Sequence, residues 1–173
     1  MRRTLALAFS VAVVAGFALA ANLRADSDKM SPADQKFVRE TNQINLLEIR
    51  VGTVAQKATT NEAVRKFAEK LVEDHTRMNE ALLAMAQKKS INLPKDLDSR
   101  EKEKADKLAR LKGAEFDRMF AREMVDGHEK AIEKFETEIK NGQDMDVKAF
   151  AEKYVVVLRE HLQGARALMT TAK

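Results

Sequence analysis

The sequence contains no cysteine. That excludes disulfides, a thiolate nucleophile and every cysteine-based metal site, so a bound metal would have to be held by histidine, carboxylate or methionine. Tryptophan is also absent, tyrosine occurs once, and the 173 residues include only two prolines and six glycines. With so few breakers, and with Ala, Leu, Glu, Lys and Met abundant, every long segment favours helix. No stretch shows the strict alternation or the turn dipeptides of a β-hairpin, so no sheet is required. A Gly-rich phosphate loop is missing. No serine or threonine stands at helical spacing from a histidine with a third orienting group, so nucleophilic catalysis has no support and a non-enzymatic role is favoured. An excess of one charge is missing too: 31 basic residues face 27 acidic ones, and without Arg2 and Arg3 the balance is 29 to 27. The signs are interleaved, as over residues 95–112, which describes a solvated face and not a phosphate-tracking patch. Nucleic acid is therefore not an expected partner.

The one long apolar run lies at the start. Arg2 and Arg3 precede an apolar stretch over 5–19, and Ala18-Leu19-Ala20 supplies small residues either side of a leucine. This is the pattern of a secretory signal peptide cut after Ala20. The run is shorter than the roughly 20 residues a membrane span needs. With no cysteine at the cut there is no lipid anchor. The expectation is an exported protein, periplasmic or secreted, with no transmembrane segment after cleavage. Removing 20 residues from 173 leaves 153, enough for one domain that buries a core unaided. Residues 21–30 read as a disordered lead-in and 31–173 as the domain.

Within the domain, Ser31-Pro32-Ala33-Asp34 supplies an N-cap, a first-position proline and an acid in the capping position, starting a helix that runs to about Ala58. Asn61 caps a second helix with Val64, Phe67, Leu71, Met78, Leu82 and Met85 on one face, and the segment 90–98 with Pro94 ends it. Ser99 is expected to cap a short charged helix ending at Gly113. A third long helix carries Phe116, Phe120, Met124, Ala131 and Phe135. After Asn141-Gly142, Asp146 is expected to cap a last helix with Val147, Phe150, Tyr154, Leu158, Ala165 and Leu168 on its inner face. The fold class that follows is all-α, a four-helix bundle with an extra short helix in its middle connection.

Each apolar stripe is broken by a polar residue. His75 lies between Leu71 and Met78, His128 between Met124 and Ala131, His161 between Leu158 and Ala165, and Glu48 shares a face with Phe37, Thr41, Ile44, Val51 and Ala55. Counting back through the turns puts His128 and His161 within about 3 Å of the same height, and Glu48 within about 5 Å of His75. Three histidines falling by chance on stripes about 100° wide is a rare outcome, roughly one in fifty. One polar layer, with one possible ligand from each helix, explains them better. Imidazoles with one carboxylate suit zinc, copper, iron or manganese, and the middle of a bundle is where such folds hold metal. The alternative is a metal-free His/Glu network in which the buried groups satisfy one another. Met78 and Met124, about one turn from histidines, would add thioethers for copper(I), or else simply fill the core. Tyr154 is either a hydrogen-bond donor behind His161 or a core aromatic with a wet hydroxyl. Asp74 and Glu160 point about 100° off the stripe, which suits salt bridges or support of a ligand.

The strings Phe67-Ala68-Glu69-Lys70-Leu71-Val72-Glu73-Asp74-His75, Gly113-Ala114-Glu115-Phe116-Asp117 followed by Met124-Val125 and His128, and His161-Leu162 with Ala165 resemble one family. It is the exported bacterial domain of unknown function "forty-one forty-two", whose members are often labelled predicted outer membrane proteins. The resemblance covers about residues 34–168, and Asn45-Leu46-Leu47-Glu48 fits its first helix. It implies a ferritin-like bundle, with residues 90–113 as the long middle connection, and it supplies no activity. The outer-membrane label finds no barrel strands or second anchor in this sequence. Ferritin-like di-iron proteins carry Glu-x-x-His on two helices. Here Val72, Val125 and Leu158 stand three residues before the histidines, which disfavours a di-iron centre. The expectation is a mononuclear site of Glu48, His75, His128 and His161, used in metal handling or stress protection. The competing expectation is a structural or interaction protein of the cell envelope, its protein partner unspecified by sequence.

Overall fold

The computed structural model describes residues 30–171. The expected signal peptide, its cut after Ala20 and all but the last residue of the lead-in lie outside the described residues. Five helices and no strand occur among those described: α1 (Pro32–Ala58), α2 (Glu62–Lys88), α3 (Ser99–Ala109), α4 (Gly113–Asn141) and α5 (Met145–Thr171). The all-α expectation holds. None of the helices is long and apolar enough to cross a membrane.

Caps account for the boundaries. The Ser31 hydroxyl accepts from Asp34 N–H at 3.1 Å with Pro32 at the first turn, and Asn61 accepts from Ala63 N–H at 2.9 Å. Two expected caps shift toward the N-terminus. Asp98, not Ser99, caps α3 by accepting from Glu101 N–H at 2.9 Å, and Asp144, not Asp146, caps α5 by accepting from Asp146 and Val147 N–H at 3.0 and 3.2 Å. A cap must stand two or three residues before the N–H groups it satisfies, so the earlier aspartate wins in each case.

The same turn fixes the connectivity. Asp34, at the start of α1, accepts from the backbone N–H groups of Gln143 and Asp144, and Lys89, just past α2, reaches Asp144 and Asp146 at 2.8 Å. The start of α1, the end of α2 and the α4–α5 turn therefore share one end of the bundle. The long helices run up, down, down, up, and residues 89–112 carry the chain back along the bundle, with α3 packed on α1 and α4. α1 lies against α2 and α4, and α5 against α2 and α4.

Apolar layers fill the two ends. Phe37, Phe135 and Phe150 pack near the α4–α5 turn, with Phe37 and Phe135 edge to face at 4.9 Å. Phe116 stacks on Phe120 at 5.7 Å toward the other end, among Val64, Ala68 and Leu71. Two glycines set close helix approaches. A Cβ on Gly52 would meet Val72 Cγ2 at 2.7 Å and the Ala68 carbonyl at 3.2 Å, and one on Gly164 would meet the Phe67 ring at 2.9 Å. Between the apolar layers lies a polar one.

Candidate metal centre

His75, His128 and His161 are 0%, 1% and 1% exposed, and each offers one ligand atom within 4.8 Å of the other two. Their ring centroids are 5.3 to 5.8 Å apart. The count through the turn places His128 and His161 level, and in the structure His128 Nε2 and His161 Nδ1 are 3.3 Å apart.

An acceptor behind each ring fixes where its proton sits. His128 Nδ1 is 2.8 Å from the Met124 carbonyl, which can only accept, so this nitrogen carries the proton and Nε2 a lone pair. His161 Nε2 is 2.9 Å from Asp74 Oδ2, which places its proton on Nε2 and its lone pair on Nδ1. His75 Nδ1 is 3.0 Å from Asn45 Oδ1, and its Nε2 has no partner among the described residues. Three lone pairs thus face a common centre with no proton between them.

Protonation is opposed as well. Burial, with the neighbouring histidines adding to it, pushes His75 well below the usual range and His128 down to about 4. Burial also lowers His161, outweighing the hydrogen bond and charge of Asp74. At neutral pH the His161–Asp74 contact is therefore a hydrogen bond to a neutral ring and not an ion pair. Burial raises the Asp74 carboxyl, but hydrogen bonds from Lys70 and His161 outweigh this and hold it below its ordinary value. Lys70 Nζ caps it at 2.9 Å from the exposed side. Asp74 thus pairs with Lys70, as expected, and accepts a hydrogen bond from His161.

Glu48 is buried but stands outside the three-histidine group. Its carboxyl faces Gly127, where an added Cβ would lie 3.6 Å from Oε1, while Oε2 has no partner among the described residues. Burial, followed by the charges of Glu123 and Glu101, pushes its carboxyl up to about 8. Tyr154 is not brought to the histidines. Its ring packs on Phe150 at 4.7 Å in the groove between α2 and α5, and among the described residues no hydrogen bond joins it to His161. Met78 and Met124 are both buried. Sequence reasoning missed Asn45, because Ile44 beside it was the apolar choice for the stripe. The structure buries Asn45 fully and leaves Ile44 half-buried.

The family model described as Domain of unknown function (DUF4142) matches residues 19–168, which include all three histidines and Glu48. The chain belongs to this family. Among solved structures, this DUF4142 domain is similar to "Crystal structure of DUF305 fragment from Deinococcus radiodurans", with a TM-score of 0.73 and 14% identity. The match covers 83% of this chain and 99% of that one. At such identity the likeness shows the helical fold alone. No curated protein matches the DUF4142 chain.

Proposed function

We propose that this chain is an exported metal-binding bundle in which His75, His128 and His161 hold a single transition-metal ion, for metal handling or stress protection and not for fast turnover. The observation that carries this reading is the convergence of three imidazole lone pairs, each aimed by its own acceptor. A neutral three-nitrogen set suits zinc, copper or iron better than manganese, which prefers oxygen. Tetrahedral nitrogens bound at about 2.0–2.1 Å lie roughly 3.3–3.4 Å apart. The His128–His161 pair already meets that spacing, and the 4.8 Å limit on the others leaves about 1.5 Å of side-chain adjustment. The orphaned His75 Nε2 fits a bound cation, and Asp74 behind His161 fits the carboxylate support common at metal-bound histidines. The up-down-down-up connectivity supports the ferritin-like reading, while Val72, Val125 and Leu158 favour one metal over two.

The competing reading is a structural or interaction protein whose histidines share protons without metal. With neutral rings it leaves the three inward nitrogens to bond through a change of tautomer, at the cost of a contact to Asn45, Met124 or Asp74, or through a buried water. Elemental analysis of the mature protein purified from the periplasm, beside a His75→Ala/His128→Ala double variant, separates the two. Near-stoichiometric metal that vanishes in the variant is expected, with a melting temperature that rises with free metal concentration. No bound metal, and no thermal shift with zinc, copper, iron or manganese, would leave the structural reading standing.

A further inference from the structure

The histidines are sealed from solvent, so a cation must reach them through the protein. On the α2/α5 flank the way is closed by an ion-pair cluster in which Lys70 lies 2.9 Å from Asp74 and 3.7 Å from Glu160. The α1/α4 flank differs. Two cavities of about 670 and 510 Å³ lie between α1, α3 and α4, and both are walled by Leu47, Glu48, Lys104, Gly127 and Lys130. Of the basic residues on these walls, Lys104 pairs with both Glu101 oxygens at 2.9 Å, Lys107 with Glu103 at 2.9 Å and Lys134 with Glu40 at 2.5 Å, whereas Lys130, common to both cavities, has no ion pair among the described residues. Glu123 and Asp126 on the wall of the larger cavity have no partner among the described residues.

Glu48 is where these cavities meet the interior. It is 5% exposed, its Oε2 is unpartnered, and Gly127 leaves space beside its Oε1. One turn back along α1, Asn45 touches His75, and Gly127 directly precedes His128. Among the described residues six buried side-chain atoms lack a partner, and four of them belong to Asn42, Asn45, Glu48 and His75. Buried polar atoms need partners, and a tract of them suits water or a hydrated ion.

We infer that Glu48 is a relay ligand: it gives up its proton to the water of the α1/α3/α4 cavities as it takes a divalent cation there, and passes the cation along the Asn45 side to His75, His128 and His161. The inference rests on the metal reading above. Glu48 is then a carrier of the ion during loading and not part of its final coordination.

Metal-free mature protein mixed with cobalt(II) chloride in a stopped-flow spectrometer tests this through the growth of the cobalt absorption bands. Glu48→Gln is expected to slow loading by about tenfold or more while stoichiometry and equilibrium Kd stay at the wild-type values. Gly127→Leu, which fills the space beside the Glu48 carboxyl, is expected to do the same and serves if the first variant folds poorly. Glu160→Gln, on the closed flank, is expected to load at the wild-type rate. Wild-type loading rates in both Glu48→Gln and Gly127→Leu would overturn the relay and leave the metal site intact. A weakened Kd with an unchanged loading rate would make Glu48 a permanent ligand and also overturn it. Failure of the wild-type protein to take up cobalt or zinc at all would remove the metal reading itself, and the relay with it.

Discussion

Three chemically different acceptors do the same job behind the three rings: an amide oxygen from Asn45, a backbone carbonyl from Met124 and a carboxylate from Asp74. They are not equally replaceable. The carbonyl belongs to a helix and cannot be mutated away, whereas Asp74→Asn keeps the shape and removes the charge that supports His161. Its expected effect is a roughly 10- to 100-fold loss of metal affinity, read from a competition titration against a chelator of known Kd. An unchanged Kd would show that ring orientation alone matters. The histidines and Glu48 were legible in the sequence because helical period puts them on otherwise apolar stripes. Asn45 was not, because a polar residue beside an isoleucine reads as the solvent side of the stripe. The Met124 contribution is made by the backbone and leaves no trace in residue type.

Helix positions were legible for a related reason: period and caps are local. What sequence could not resolve was which of two nearby residues does the capping, Asp98 or Ser99, Asp144 or Asp146, since that depends on where the chain turns. Nor did it show how closely the helices approach. Gly164 places α5 directly on the Phe67 ring, and Phe67 lies 6.2 Å from His161, edge to face. Gly164→Ala improves helix propensity by about 1 kcal/mol yet forces that ring aside, and overpacking of this kind costs about 1–3 kcal/mol. A net loss of stability in a urea titration is expected. A more stable variant would mean that Phe67 has room to turn away.

Over the whole domain, opposed titrations predict the pH profile of the metal-free protein. His75 and His128 are depressed, so the unfolded chain binds their protons first, and stability is lost as pH falls from about 6.5 through 4. Glu48 and Glu138 are raised by burial, to about 8 and about 7, with Asp34 adding to the shift at Glu138. The folded state holds those two protons longer. Their contribution is full below about 4.5 and is lost as pH rises through 7 and 8. The two effects oppose one another between 4.5 and 6.5, so the urea midpoint should be highest near the middle of the scale and lower at both pH 4 and pH 8.5. Glu48→Gln should flatten the alkaline side. Equal midpoints at pH 6.5 and 8.5 in the wild-type protein would contradict this assignment of buried, protonated acids.

The three rings are also unevenly shared between the halves of the chain. His128 and His161 are 33 positions apart on the hairpin of α4 and α5, while His75 belongs to the hairpin of α1 and α2, across the long crossover. As the chain folds, one hairpin can bring two nitrogens together by local contacts, but the third arrives only when the hairpins dock. A cation held by all three, as proposed, would fasten the first half of the polypeptide to the second, and would hold the halves together even if the connection between them were cut.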